Sequence, residues 1–208
     1  MTQHATPVSA RCMANPMLMA SGRAVDLANL TPADIFWPDL VEALVKMPRF
    51  NGATPHVHYS AAQHCCLMYD RAMDGYKAHA LLSDFHVAFS CEPPWPFLAF
   101  AAAKTDFTDA FMDAIREAKG ELTEAIFAAA GLPEDDDDEV TFARLKYLQI
   151  LDKSVTATEV RDLLKASAVM ETWHLPAPFK EVIKPWGLDE ARAQLELRLA
   201  FIGIRTRG

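Results

Sequence analysis

Three side chains able to hold a cation or move a proton stand where apolar residues are expected: His64, Asp84 and Asp152. Asp84 lies inside "HALLSDFHVAFS", residues 79–90, a stretch that as a helix is apolar almost all the way round, with His79 before the acid and His86 after it. A carboxylate in such a place does not stay ionised without a cation, a hydrogen-bond donor or a metal beside it. Asp152 falls on a helical stripe with Leu145, Leu148 and Val155, and His64 has Leu67 and Met68 as its helical neighbours. Each residue alone reads as a core polar group with a local partner. Two carboxylates and an imidazole on the inward sides of three helices are together the ingredients of a divalent-metal site with N/O ligands. Spacing across separate helices does not by itself bring them together.

The elements that must position these residues read as helices. "TPADIFWPDLVEALVKM" starts one, with Thr31 as N-cap, Pro32 in the first turn and Leu40, Leu44 and Met47 at apolar spacing. "PRFNGATPH", residues 48–56, breaks it into a loop. "YSAAQHCCLMYDRAM" restarts helix with Ser60 and Gln63 as a capping box, and Gly75 ends it. Residues 79–90 form a third helix, and "CEPPWPF" is a stiff loop. "TDFTDAFMDAIREAKGELTEAIFAAAG" is a long helix stopped by Gly131. Helical periodicity returns through "VTFARLKYLQILDKSVTATEVRDLLKAS" and again around "LDEARAQLELRLAFIGI". "EDDDDE", residues 134–139, lacks EF-hand spacing and reads as a solvated loop and helix start. Sustained alternation is absent, so residues 1–208 read as one all-α domain with an irregular N-terminal arm over residues 1–30.

A formal net charge of −8 argues against a nucleic-acid surface, while leaving room for a small anion in a local pocket of Arg and Lys. Cys12, Cys65, Cys66 and Cys91 show no zinc spacing and read as reduced thiols. Neither a signal-peptide pattern nor an apolar run of about 18 residues is present. The expectation is a soluble, cytoplasmic protein with no membrane partner.

In order along the chain, "SGRAVDL", "RFNGATPHVHYSAAQH", "ALLSDFHVAFSCEPPWP" and "LDKSVTATEVRDLL" resemble the HD-domain phosphohydrolase superfamily, in the branch related to bacterial 5′-deoxyribonucleotidases, over residues 21–164. The resemblance implies an HD-domain helical bundle in which a histidine, an adjacent His-Asp pair and a distant Asp hold one divalent metal ion. It puts His64, Asp84 and Asp152 among those ligands, and Arg49 with Phe50 in the place of a phosphate-binding Arg and the aromatic residue after it. The activity it implies is hydrolysis of a nucleotide or other phosphate ester by metal-activated water, with Arg49 and Glu92 in catalytic roles. A homodimer is an assembly it leaves open.

The chain also departs from the pattern. Ser83 stands where the pair has its histidine, Val87 where an acid usually follows three residues after the Asp, and "CE" replaces "GD", so that Glu92 keeps the charge on a longer arm. His79 and His86 lie four residues before and three after Ser83, on one helical face, and are candidate substitute ligands or else ordinary polar residues at the helix edge. His56 and His58 are a further source of imidazole. Two readings follow: an atypical nucleotide phosphohydrolase with a weakened metal site, or a catalytically silent HD-fold protein that binds a nucleotide or a protein partner.

Overall fold

Helix, with its 3₁₀ turns, accounts for 65% of the described residues and strand for 3%, so the fold is all-α. The computed structural model describes residues 16–91, 93–132 and 137–206. Its helices are α1 (Trp37–Lys46), α2 (Ala61–Arg71), α3 (Lys77–Leu82), α4 (Val87–Ser90), α5 (Trp95–Ala102), α6 (Thr108–Ala129), α7 (Asp138–Leu163) and α8 (Leu188–Phe201). None of them is long and apolar enough to cross a membrane.

The fold is arranged around α2, which packs against α1, α3, α7 and α8. Its sequence suits that position: Ala61, Ala62, Cys65 and Cys66 are small and fully buried, so neighbours approach it closely on several sides. Leu40, Val41, Leu44 and Val45 of α1, Phe85, Val87 and Phe89, and Leu195 and Leu199 of α8 fill the main core. A second cluster, Met68, Ala72, Ala80, Leu148, Leu151 and Val155, clamps α7 to α2 and α3. That clamp holds α7 close to α2, on the side where α7 presents its polar residues.

The long helices form where periodicity puts them, and Gly131, at φ +68°, takes the left-handed turn just past α6. Four expectations are corrected. Thr31 caps only a short 3₁₀ turn, Pro32–Asp34, and α1 starts later, at Trp37. Pro38 has no N–H, and its ring excludes a helical carbonyl at position 34. Residues 1–30 are not irregular throughout: Met17–Leu18 pairs antiparallel with Ala24–Val25, and Ser21 fastens this hairpin to buried Asp39 through its N–H (2.7 Å) and hydroxyl (2.6 Å). Residues 79–90 are not one helix but α3, a tight turn over Ser83–His86, and α4. The "CEPPWPF" loop gives way at Trp95 to α5, because Pro96 is tolerated in a first helical turn. Cys12 and residues 134–136 of the acidic run lie outside the described residues.

Gln63 shows how one polar residue links two regions. Ser60 Oγ accepts from the Gln63 N–H (3.2 Å), as an N-cap should. The Gln63 side chain does not close the box, however. It donates to the Lys184 carbonyl (2.8 Å) and accepts from the Trp186 N–H (2.9 Å), holding residues 174–187 as a strap along α2 and α7. Asp162 and Thr158 of α7 hold the same strap by accepting from the Ile183 and Phe179 N–H groups, at 2.8 and 2.9 Å. Gln63→Ala removes two part-buried bonds and should destabilise the protein by about 2 kcal/mol. Hydrogen exchange at the Trp186 amide should accelerate while that at Phe179, held by Thr158, changes less. Equal acceleration at both would show instead that the strap opens as one unit.

Candidate metal centre

The site is built from α2, the turn after α3, and one stripe of α7. Backbone pairing across the loop before α2 fixes its start: Arg49 N–H donates to the Tyr59 carbonyl and Ala61 N–H to the Met47 carbonyl, both at 2.9 Å. One turn beyond the Ser60 cap, His64 points into the interior and is fully buried. Along α7, Asp152, Thr156 and Glu159 recur at spacings of four and three, so all three face α2.

Glu159 is the innermost member and completely buried. Its Oε1 accepts from the Tyr59 hydroxyl (2.6 Å) and from His64 Nδ1 (2.7 Å), and its Oε2 from Arg49 Nη2 (3.1 Å). Burial alone would raise its pKa. The His64 and Arg49 charges and the Tyr59 and His64 hydrogen bonds outweigh that and hold it at about 2, so it is ionised. Burial, then the Glu159 charge, push the Tyr59 phenol well above its ordinary pKa, so it stays a neutral donor. Because an ionised carboxylate only accepts, the proton on this side of His64 is on Nδ1.

The opposite ring nitrogen, Nε2, faces Asp84 Oδ2 at 2.9 Å and Asp152 Oδ1 at 3.3 Å. Neither oxygen lies in line with an Nε2–H, so this buried nitrogen has no well-aligned hydrogen bond despite two close carboxylates. Charge attraction at these distances needs no alignment. Burial and Arg49 push the His64 pKa down, but Glu159, Asp152 and Asp84 together lift it well above the ordinary imidazole value. Burial would likewise raise Asp84, yet His64, with Arg49 and His86 behind it, holds it well below the usual carboxylate range. One ligand atom from each of His64, Asp84 and Asp152 lies within 4.8 Å of the others. Bonds of ~2.0–2.2 Å to a shared ion put ligand atoms roughly 3–4 Å apart, so the donor set fits a small divalent cation. The Glu159–His64 pair behind it is the carboxylate–histidine arrangement that fixes a ligating tautomer.

Asp84 and Asp152 are 27% and 45% exposed and open onto a cavity of about 390 Å³, lined also by Ser83, Lys119, Thr123 and Arg144. The backbone puts Asp84 at its edge. From Leu82 to Phe89 the bonds run i to i+3, Phe85 N–H to Leu82 and Val87 N–H to Asp84 among them, a 3₁₀ tightening of the helix. Ser83 Oγ donates to the Ala80 carbonyl (3.0 Å), and His86 Nδ1 lies 3.0 Å from the Ser83 carbonyl. Both side chains compete with the regular ladder.

His64, Asp84 and Asp152 are therefore brought together. The substitutes are not: among the described residues the ligand cluster has only those three members. His79 is buried edge-on against the Phe127 ring at 5.2 Å, and His86 is turned to Ser83. The break after α3 removes the continuous helical face that would have carried both. His58 Nε2 lies 3.0 Å from the Val45 carbonyl, away from the cluster. Leu145, expected inside with Asp152, is exposed. Val87 packs into the main core rather than toward the carboxylates. Arg49 is buried against Glu159 and Thr156 (3.4 Å) and belongs first to the charge network behind His64. Phe50 lies under the Arg49 guanidinium, 5.3 Å from the ring centre. Glu92 lies outside the described residues.

Glu159 and Tyr59 are the members that sequence reasoning missed. A signal existed for Glu159: it is two helical turns after Asp152, hence on the same face as a candidate ligand. Compared with known proteins, the chain matches no family model, and no curated protein is significantly similar to it.

Glu159 has a folded-state pKa of about 2 against an ordinary 4.5, so its contribution to stability is complete above pH 4.5 and is lost as pH falls through 2. Glu159→Gln should cost about 3 kcal/mol at pH 7, because Arg49 and His64 lose their counter-charge. The variant's urea midpoint should then fall less steeply than the wild type's between pH 5 and pH 2.5 (about two units spanning the shift). Parallel pH profiles for the two proteins would refute the depressed carboxyl.

Proposed function

We propose that the protein is a metal-dependent phosphohydrolase of the HD-domain kind with a reduced ligand set, acting on a nucleotide or related phosphate ester. One observation carries the metal part of this reading: His64 gives Nδ1 to buried Glu159 and turns Nε2, without an aligned partner, toward Asp84 and Asp152. The phosphohydrolase part rests on the resemblance of the motifs that supply these residues. When bound, a divalent ion in such a site lowers the pKa of water and neutralises phosphate charge.

The chain's own residues do the rest. Glu159 fixes the His64 tautomer, and Tyr59 and Arg49 keep Glu159 ionised and in place. Asp84 and Asp152 turn their exposed edges to the cavity through which a substrate reaches them. The resemblance gives Arg49 a phosphate-binding role; in this structure its guanidinium is paired with buried Glu159 and covered by Phe50. Glu92 keeps the place of a catalytic acid in that scheme.

A second reading, a catalytically silent protein that binds a nucleotide or partner, is favoured by two observations. Ser83 Oγ is committed to the Ala80 carbonyl, and Val87 is packed in the core, so positions 83 and 87 supply neither a second imidazole nor a proton acceptor. Calorimetry with Mn²⁺, paired with a phosphate-release screen over nucleoside mono-, di- and triphosphates, separates the readings. The expected outcome is one ion per chain, with affinity reduced at least tenfold in His64→Ala and Asp152→Asn. Phosphate release should rise with metal and vanish in the same variants. Ser83→His should tighten the ion about tenfold with little change in turnover. Stoichiometric metal without phosphate release would favour the silent reading, and no metal in any form would sink the hydrolase reading.

A further inference from the structure

Lys119 of α6 is shared by two cavities. It lines the recess at Asp84 and Asp152, and it also lines a larger cleft, of about 730 Å³, whose walls include Phe50, Pro94, Trp95, Leu98 and Trp173. Three aromatic rings thus meet around a space that shares its cation with the carboxylate cluster. The volume is that of a small-molecule site rather than of a protein–protein interface.

The walls are fixed without the help of any occupant. Leu98 and Ala102 are buried and seat α5 against α6, while Trp95, on the same short helix, is left 67% exposed. Pro94 N-caps that helix and Pro96 lies in its first turn, so the backbone leading to Trp95 has little freedom. Trp173 ends the 3₁₀ segment Ala168–Trp173 and is 43% exposed. Phe50 is held in a left-handed backbone conformation, φ 53°, which a bulky residue adopts only when its surroundings demand it. Arg49 stacks on its ring, tying this wall to the network around Glu159. Two half-open indoles beside a third ring form a surface that gains from covering by a flat, apolar partner.

We propose that this cleft binds the planar aromatic portion of an anionic substrate, whose charged group sits at Lys119 beside the Asp84–Asp152 recess. The placement of the anion rests on the metal-site reading above. The preference for an aromatic group does not, because it comes from Trp95, Trp173 and Phe50 alone.

The test is isothermal titration of the Mn²⁺-supplemented protein with the hydrolysis-resistant phosphorothioate esters of 1-naphthol and 1-butanol and with inorganic phosphate. The aryl ester should bind about tenfold more tightly than the other two, the gain expected from a well-made aromatic stack. Trp95→Ala and Trp173→Ala should each reduce that ratio, and the double variant should bring it close to one. Both side chains are substantially exposed, so an unchanged melting temperature is expected alongside. Lys119→Met should weaken all three ligands by a similar factor. Equal binding of the aryl and butyl esters by the wild type, or an aryl preference intact in the double variant, would overturn the cleft. Unchanged affinities in Lys119→Met would overturn the position given to the anion. Asp152→Asn keeps the two failures apart: a faulty metal reading shows as identical Mn²⁺ dependence in that variant and the wild type, whereas a faulty cleft shows as an aryl-to-butyl ratio near one in both.

Discussion

A single buried carboxylate organises the interior. Glu159 has no access to water, and a charge so placed is tolerable only if donors surround it. Tyr59, His64 and Arg49 are those donors, and they come from the loop before α2 and from α2 itself. Satisfying Glu159 therefore fixes more than its own side chain. It locks α7 against α2 in rotation, closes the loop that carries Arg49 and Phe50, and decides which nitrogen of His64 remains for other work. The apolar clamp of Met68, Leu148, Leu151 and Val155 supplies attraction between the same helices without specifying register. Hydrogen bonds of definite direction supply the register.

The electrostatic balance follows from that arrangement. Three carboxylates, Glu159, Asp84 and Asp152, face two cations, Arg49 and a charged His64. One cation is consumed deep in the protein by Glu159, which leaves the two outer carboxylates dependent on the His64 ring between them. Such a centre favours a further positive charge on its outer side. A proton on Nε2 answers part of that need, and a divalent ion answers it more completely, so the two compete for one nitrogen. The outward drift of exposure, from Glu159 through His64 to Asp84 and Asp152, puts the available ligand atoms next to the cavity and the supporting ones behind.

Much of this was legible in the sequence, but unevenly. α6, α7 and α8 are long enough for periodicity to mark them, and Gly131 marks a stop that only a left-handed residue makes easily. His64, Asp84 and Asp152 stood out because polar groups in apolar company need a reason. Short-range competition was less legible. The "HALLSDFHVAFS" stretch has helical composition throughout, yet Ser83 and His86 each divert a backbone carbonyl and the ladder tightens to i, i+3 bonds. Pro38 moved the start of α1, and a two-residue hairpin was too short to show alternation. Arg49 illustrates a different limit. The resemblance suggested an anion-binding group, whereas its buried partner Glu159 lies 110 positions away, and pairing over such distances is not written in local spacing.

Ser83 looks at first like the deciding residue, since the resemblance puts an imidazole at its position. The geometry shifts the weight elsewhere. Three protein ligands with a position left open is the pattern of catalytic zinc sites, while closed sets of four belong to structural ones, so a missing fourth side chain does not itself separate hydrolysis from binding. The proton acceptor does. Val87 is packed in the core, and its aliphatic side chain accepts no proton. His86 is kept below the ordinary imidazole pKa, chiefly by burial, and its Nδ1 faces the Ser83 carbonyl. In the hydrolase reading the acceptors that line the cavity are Asp84 and Asp152 themselves, whose outer edges face it. Those two carboxylates already share His64, and any proton taken by one alters the charge available to the other. Ion binding and proton transfer are thus coupled through a single imidazole, whose position is set in turn by Glu159.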